Sequence, residues 1–186
     1  MRAVSSRAPD HEAEIRTAIE TVMKDTDVLL TSGGAWKSER DLTIRVLEGM
    51  GWKPLFRGVR MGPGKAVALG LLDGIPVFCL PGGPPSNETA FLQIVLPALM
   101  IMSGRAEAPF RYQTARLSDR VTGDKTWTQF IYADLTEKSD ECWTVPLRLK
   151  SRLRSQACAR AVIRIDEGRE RLDEGSRISV QVLRES

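Results

Sequence analysis

The sequence has little of what metal centres, disulfide frameworks and membrane spans require. It contains one histidine, His11, and three cysteines, Cys79, Cys142 and Cys158, that are far apart and form no CxxC pair. This composition argues against a zinc site and against a disulfide framework, and it fits a reducing cytoplasm best. The first residues have no apolar core typical of a signal peptide, and the longest apolar stretch, 94–102, is too short to span a bilayer. We therefore expect a cytoplasmic protein with no membrane partner.

Size and composition are those of an ordinary globular protein. The 186 residues are 42% hydrophobic and 27% charged, which allows one large domain or two small ones. A net charge of +3 is too small to indicate nucleic-acid binding by itself. No internal repeat or low-complexity segment is present.

Two glycine-rich loops are the most informative feature of the chain. One is Thr-Ser-Gly-Gly at 31–34 and the other is Leu-Pro-Gly-Gly-Pro-Pro-Ser at 80–86; each follows an apolar run typical of a buried strand and precedes a helical pattern. Glycine lets backbone N–H groups approach a phosphate or oxyanion closely. Two such loops at the strand ends of one sheet indicate a single anion-binding crevice. The alternative is that the glycines serve only to make tight turns.

Periodicity divides the chain into an α/β part and a β-rich part. In the first part we predict three helices: His11–Lys24 with Asp10 as its N-cap, Ser38–Met50, and Asn87–Ser103 with a kink at Pro97. Between them we predict a strand at 28–31, an extended segment over Leu55–Arg60, a turn over 61–65 and a hairpin around Asp73–Gly74. In the second part we predict strands over Arg111–Leu117, Trp127–Leu135, Cys142–Leu147, Ala161–Ile165 and Arg177–Leu183. This pattern predicts one domain over 1–106 and a small β-rich domain over 107–186.

The order of the motifs resembles the carboxyl-terminal half of the molybdopterin molybdenumtransferases, the family of MoeA and the gephyrin E domain. The motifs are Pro9-Asp10 before a helix, Thr31-Ser32-Gly33-Gly34, Asp41, Met61-Gly62-Pro63-Gly64-Lys65, the loop from Leu80 to Ser86, and Leu172-Asp173-Glu174-Gly175 before a final strand. The resemblance covers nearly the whole chain. It implies part of a three-layer α/β molybdopterin-binding domain, MoaB/MogA-like and without its opening strands, followed by a small β-barrel-like domain.

The same resemblance implies a reaction and its participants. Members insert molybdate into adenylated molybdopterin and release AMP, so molybdopterin or its AMP adduct, molybdate and Mg²⁺ are the implied ligands. Because members carry two further domains ahead of this region, we expect the sequence to be a fragment, a mis-started reading frame or a truncated paralogue. We accordingly expect a homo-oligomer, or a partner chain that completes the fold.

Candidate site residues follow from the matching positions. The resemblance implies catalytic roles for Asp41 and Lys65, and metal binding by Asp41 and Asp10. The implied cofactor-binding residues are Ser32, Gly33, Gly34, Gly64, Pro81, Gly82, Gly83, Pro84 and Ser86. Each of these residues also has a purely structural interpretation: Asp41 could complement a helix dipole, Asp10 could cap a helix, and Lys65 could be a solvated surface lysine. For Ser86 we favour capping of the helix that begins at Asn87.

Several positions depart from the family pattern. Gly62 stands where the family usually has a lysine, and bulky or charged residues fill 35–39, where small residues are usual. These departures bear on catalytic competence more than on ligand binding. Two functions therefore compete: molybdate insertion by a molybdenumtransferase, and molybdopterin binding by a non-catalytic carrier.

A basic segment supports a third and weaker interpretation. Arg148, Lys150, Arg152 and Arg154 alternate, which would place them on one face of a strand. Such a face could steer an anionic cofactor or bind nucleic acid, or it could simply be solvated. We do not expect nucleic acid to be a partner.

Overall fold

The computed structural model describes residues 2–33, 42–148 and 151–184. In chain order its first elements are α1 (Glu12–Met23), β1 (Leu29–Ser32), α2 (Leu42–Gly49), β2 (Lys53–Arg57), β3 (Met61–Gly62), β4 (Ala68–Leu72), β5 (Ile75–Leu80), α3 (Pro84–Ala90), a π-helical turn (Phe91–Val95) and α4 (Leu96–Met102). They are followed by β6 (Arg111–Leu117), β7 (Val121–Thr122), β8 (Thr128–Lys138), β9 (Glu141–Pro146), α5 (Arg152–Cys158), β10 (Ala161–Ile165), β11 (Arg171–Leu172) and β12 (Arg177–Val182).

The chain forms two compact units. The first runs to Val59 and resumes over Gly64–Gly104, and the second consists of Arg60–Pro63 and the residues from Arg105 onward. The short strand β3 thus belongs to the second unit, although the sequence predicts only a turn there. The assignment of separate domains to 1–106 and 107–186 stays a sequence-based interpretation.

The first unit is built on a four-stranded sheet in the order β1-β5-β4-β2. β1 runs parallel to β5, while β4 is antiparallel to both β5 and β2. The predicted hairpin at Asp73–Gly74 is present, with Leu72 opposite Ile75 and positive φ angles of 50° and 82° at the two turn residues. A two-residue turn of this kind matches the twist of the strands it joins.

Helices α1 and α2 pack their apolar faces against this sheet. Ile15 and Ile19 of α1 join Val46 and Leu47 of α2 in one buried cluster with residues of β4 and β5. The predicted capping role of Asp10 is wrong: the N-cap of α1 is His11, which makes no side-chain capping hydrogen bond. The helix is stabilised instead by this buried face, as is usual for helices of three or four turns.

The helical segment after β5 starts earlier than predicted. Gly83 is its N-cap and Pro84 and Pro85 fill the first positions, so the expected cap at Ser86 is wrong. Proline suits this place because its fixed φ fits a helix and its missing N–H leaves no unsatisfied donor. The kink at Pro97 stays a prediction; just before this proline the segment forms the π-helical turn, where the Leu96 N–H donates to the Phe91 carbonyl five residues back.

The second unit contains a closed five-stranded barrel in the order β10-β12-β6-β9-β8, closed by pairing of β10 with β8. Side chains alternate along the strands, and the inward-facing positions form one buried cluster. The fully buried members include Leu117, Ala133, Ile163, Ile165 and Val180. The predicted barrel-like fold of this region is therefore confirmed.

The described residues of the basic segment do not lie on one face of a strand, as their alternation would allow. Arg152 and Arg154 lie on α5, whose N-cap Ser151 accepts a hydrogen bond from the Arg154 N–H through its side chain. Arg148 precedes this helix and donates to the Arg120 carbonyl at 2.7 Å, while Lys150 lies outside the described residues. The N-cap hydrogen bond of Ser151 favours a helix over the strand that alternating charges would suit. The described basic residues therefore do not form one face of a strand.

Candidate functional site

The two glycine-rich loops leave the same edge of the first unit's sheet. β1 and β5 are parallel neighbours, and Ser32 at the end of one lies opposite Leu80 at the end of the other. The Gly33 N–H donates to the Leu80 carbonyl at 3.1 Å, so the pairing continues into the first loop. Parallel strands place their carboxyl ends together, and this is where open α/β sheets usually bind ligands.

Asn87 ties the two loops to each other. Its Nδ2 donates to Ser32 Oγ at 3.0 Å and to the Pro81 carbonyl at 2.8 Å. Its backbone N–H donates to the Gly83 carbonyl at 2.8 Å, which starts the helix. Asn87 is not among the site residues predicted from the sequence; the available signal was that it is the only asparagine in the chain and directly follows the second loop. The loops are thus held together by one side chain that reaches across 55 positions.

The glycines of the loops differ in what their backbone requires. Gly33 and Gly64 have φ angles of +94° and +106°, which favour glycine for conformational reasons alone. Gly83 has φ −72°, an angle open to any residue, and a Cβ built there meets no atom of the described residues within 4 Å. In the part of the chain that the structure describes, a Cβ on Gly82 would meet the Gly33 Cα alone, at 3.5 Å, which is an ordinary contact. Tight turning therefore explains Gly33 but neither Gly82 nor Gly83, and both of these are exposed.

The turn that carries Lys65 leads to the same sheet edge. Ala68 at the start of β4 lies opposite Cys79, next to the end of β5, so the residues just before Ala68 lie beside the second loop. The Lys65 carbonyl accepts a hydrogen bond from the Val59 N–H at 3.1 Å, and its side chain is exposed. Gly64 before it is buried.

The described residues contain no group of three or more His, Cys, Asp or Glu side chains that could hold a metal ion. Asp10 is exposed and is not part of such a group. Gly34 and Asp41 lie outside the described residues, as does the 35–39 segment. The described part of the chain therefore does not offer a fitting Mg²⁺ site, and we derive no step through this cation.

Cys79 lies at the end of β5 but is not a candidate nucleophile. Its side chain is fully buried, and burial raises the pKa of the thiol from 9.0 to about 11, against smaller opposing effects of Thr31 and Arg57. A thiol with this pKa is protonated at neutral pH and unreactive. It packs in the cluster under α1 and α2.

Comparison with known protein families matches residues 4–100 to the MoCF_biosynth family, described as a probable molybdopterin binding domain. The matched residues include both glycine-rich loops and the strands β1 and β5 that precede them. The chain belongs to this molybdopterin-binding domain family.

Individual relatives extend the likeness to the second unit. A crystal structure of the molybdopterin biosynthesis protein MoeA from Pyrococcus horikoshii superposes with a TM-score of 0.77 at 32% identity, covering 94% of this chain and 42% of that one. A molybdenum cofactor biosynthesis protein from Pyrococcus furiosus shares the fold, with a TM-score of 0.74 at 22% identity over 94% of this chain and 56% of that one.

Curated relatives carry the corresponding names. The molybdopterin molybdenumtransferase of Haemophilus influenzae is 34% identical over 99 residues, which are 53% of this chain and 24% of that protein. The enzyme of the same name from Staphylococcus aureus (strain COL) is 29% identical over 128 residues, covering 69% of this chain and 30% of the relative. The chain thus spans about a quarter to a third of the length of these relatives. The resemblance to this family is confirmed.

None of the helices in the described ranges is long and apolar enough to cross a membrane.

Proposed function

We propose that the edge formed by the two glycine-rich loops binds molybdopterin or its AMP adduct, and that the chain takes part in inserting molybdate into that ligand. The single observation that carries this proposal is the pair Gly82 and Gly83. Both lie exposed in the loop after β5, beside the end of its parallel neighbour β1, and neither their φ angles nor their packing against the described residues requires glycine. Leaving out a side chain there keeps the backbone accessible to an anion.

The second loop can present only a few N–H groups to that anion. Pro81, Pro84 and Pro85 have none, so the donors of this loop are those of Gly82, Gly83 and Ser86. Asn87 fixes the loop relative to Ser32, whose hydroxyl accepts from the asparagine amide. Loops held in one arrangement lose less entropy when a ligand binds, which strengthens binding.

Lys65 and Asp41 complete the proposal. We assign to Lys65 the role of a point charge for molybdate or a phosphate group, since the reaction brings two anions together. Asp41, which lies outside the described residues, is proposed from the family resemblance to handle molybdate or a cation. We also propose that the protein is cytoplasmic and that molybdate insertion depends on Mg²⁺.

The test compares two exposed lysines of the first unit, Lys65 and Lys53. Lys65→Ala should weaken molybdopterin binding by about 1.5–3 kcal/mol, the contribution of a charge-assisted hydrogen bond, measured by calorimetry. Lys53→Ala is the matched control, because Lys53 is also exposed but pairs with Leu71 near the opposite edge of the sheet. Equal binding by the two variants would contradict the role of Lys65.

Insertion is measured separately, by reconstitution of an apo molybdoenzyme with molybdopterin, molybdate and a divalent cation. Asp41→Asn should abolish insertion while leaving molybdopterin binding largely intact. An unmodified chain that binds molybdopterin but never inserts molybdate would be a carrier rather than an enzyme. A chain that does neither would refute the whole proposal.

A further inference from the structure

Asn87 contacts two groups of the candidate site through the same nitrogen atom. Its Nδ2 lies 2.8 Å from the Pro81 carbonyl oxygen and 3.0 Å from Ser32 Oγ. A carbonyl oxygen only accepts hydrogen bonds, so the NH₂ group of the amide, and not the amide oxygen, must face Pro81. The chemistry of the Pro81 carbonyl therefore fixes which way the Asn87 amide is turned.

The Ser32 hydroxyl receives the second hydrogen of that NH₂ group. An amide nitrogen carries two hydrogens and does not itself accept a hydrogen bond. One hydrogen is donated to the Pro81 carbonyl and the other to Ser32 Oγ, so Ser32 cannot donate its own proton back to this nitrogen. The hydroxyl proton of Ser32 must therefore point to a different acceptor.

The position of Ser32 makes a bound anion a suitable acceptor. Ser32 is exposed at the carboxyl end of β1, beside the end of β5. A Cβ built on Gly82 would lie 3.5 Å from the Gly33 Cα, so the second loop comes within contact distance of the residue after Ser32. Among the residues that the structure describes, no group accepts the Ser32 proton.

The Ser32 hydroxyl differs from the backbone donors beside it. The N–H groups of Gly82 and Gly83 only donate, whereas a serine hydroxyl can donate or accept. A hydroxyl that accepts a hydrogen bond is polarised by it, which strengthens the hydroxyl as a donor and weakens it as a second acceptor. Asn87 therefore brings Ser32 into line with the two glycine N–H groups, and all three groups favour a ligand oxygen that accepts.

We propose that Asn87 is a positioning residue for ligand binding, which turns the Ser32 hydroxyl into a donor and so makes this edge select anions whose oxygens carry no proton. A fully ionised phosphate monoester and molybdate are anions of this class. Asn87 acts on the ligand through Ser32 and does not touch it. Like the proposed function, on which it rests, this role requires that the edge formed by the two glycine-rich loops binds an anion.

Two probes of equal charge and similar shape isolate the effect of one proton. The second pKa of a phosphate monoester is about 6, so phenyl phosphate is mainly a monoanion with one P–OH group at about pH 5. Phenyl sulfate is also a monoanion at this pH but has no hydroxyl proton. Calorimetry gives the ratio of the two dissociation constants. The unmodified protein should bind phenyl sulfate about three- to tenfold more tightly, the contribution of one hydrogen bond.

Variants of Asn87 and Ser32 should remove this preference. In Asn87→Ala the Ser32 hydroxyl is free to turn, so it accepts from phenyl phosphate as readily as it donates to phenyl sulfate. The ratio should fall towards one in this variant and in Ser32→Ala, which lacks the hydroxyl. The double variant should give the same ratio as Ser32→Ala. A purely structural role of Asn87 would lower both affinities by the same factor, and an unchanged ratio in Asn87→Ala would overturn the proposal.

Thr89→Ala is the matched control. Thr89 also donates a side-chain hydrogen bond to a proline carbonyl of this segment, that of Pro85, at 2.9 Å. Its loss tests the removal of such a bond without changing the contact between Asn87 and Ser32. Thr89→Ala should keep the ratio of the unmodified protein. A ratio that falls in Thr89→Ala as far as in Asn87→Ala would contradict a specific role of Asn87.

Binding of molybdopterin by the unmodified protein separates the failure of this role from the failure of the proposed function. If molybdopterin binds, but the unmodified protein binds the two probes equally or binds neither at millimolar concentration, the role of Asn87 is refuted and the proposed function stands. If neither molybdopterin nor the probes bind, both are refuted. These measurements do not depend on how the variants fold.

Discussion

Replacing Gly83 by alanine separates the two explanations of the glycine-rich loops. If glycine is present only for tight turning, Gly83→Ala should be harmless, because φ is −72° and a Cβ would meet no atom of the described residues within 4 Å. If the absent side chain leaves room for an anion, the variant should fold normally and bind molybdopterin poorly. The prediction is therefore a loss of affinity without a loss of stability.

The expected change in stability follows from two small opposing effects. Alanine reduces the conformational entropy of the unfolded chain relative to glycine, which stabilises by about 0.4–1 kcal/mol. Alanine is a poorer N-cap than glycine, which costs a similar amount at this helix start. The free energy of unfolding should therefore change by less than about 0.5 kcal/mol. A methyl group pressed against a bound ligand should cost about tenfold or more in affinity, as in other overpacked contacts.

Gly74→Ala is the matched control for this experiment. Gly74 has φ +82° in the hairpin at the opposite edge of the same sheet, so alanine there is strained by about 1–2 kcal/mol but is remote from the loops. Urea unfolding followed by circular dichroism measures stability, and calorimetry measures molybdopterin affinity. Gly74→Ala should lose stability and keep its affinity. Unchanged affinity in a folded Gly83→Ala protein would refute the reasoning.

Three further predictions concern other contacts. Asn87→Ala removes two hydrogen bonds, so it should lower the free energy of unfolding by about 1–2 kcal/mol and speed amide hydrogen exchange in both loops. Unchanged exchange at the Gly33 amide would contradict the idea that Asn87 holds the loops together. Hydrogen bonds from Arg116 and Arg177 lower the pKa of Glu141 from 4.5 to about 2, so the stability it contributes is present above about pH 4.5 and lost as the pH falls towards 2. Glu141→Gln should reduce the dependence of the unfolding free energy on pH between about pH 2 and 4.5. An unchanged pH dependence would contradict this role of Glu141. Among the described strands β1 pairs only with β5, so its open edge should promote self-association, and a stable monomer at high concentration in sedimentation would argue against it.

Local chemistry made much of the fold predictable. The hairpin at Asp73–Gly74 and the strands of the barrel were found because turn residues and apolar alternation act over a few positions. Errors arose where two local signals competed. The serine at 86 suggests a cap, but the two prolines ahead of it already suit a helix start. The alternation of Arg152 and Arg154 would suit a strand face, but Ser151 caps a helix there.

The arrangement of the candidate site needed the tertiary structure. Sequence identifies the glycines and Lys65 but cannot tell that Asn87 contacts Ser32, because that hydrogen bond depends on β1 and β5 lying side by side. Nor can it tell which glycines are conformationally required. In the structure Gly33 needs its glycine for its φ angle while Gly83 does not, although the two loops look alike as sequence. A glycine that neither its φ angle nor its described surroundings require leaves its backbone accessible, and this contrast is our physical reason for proposing that the ligand binds at the second loop.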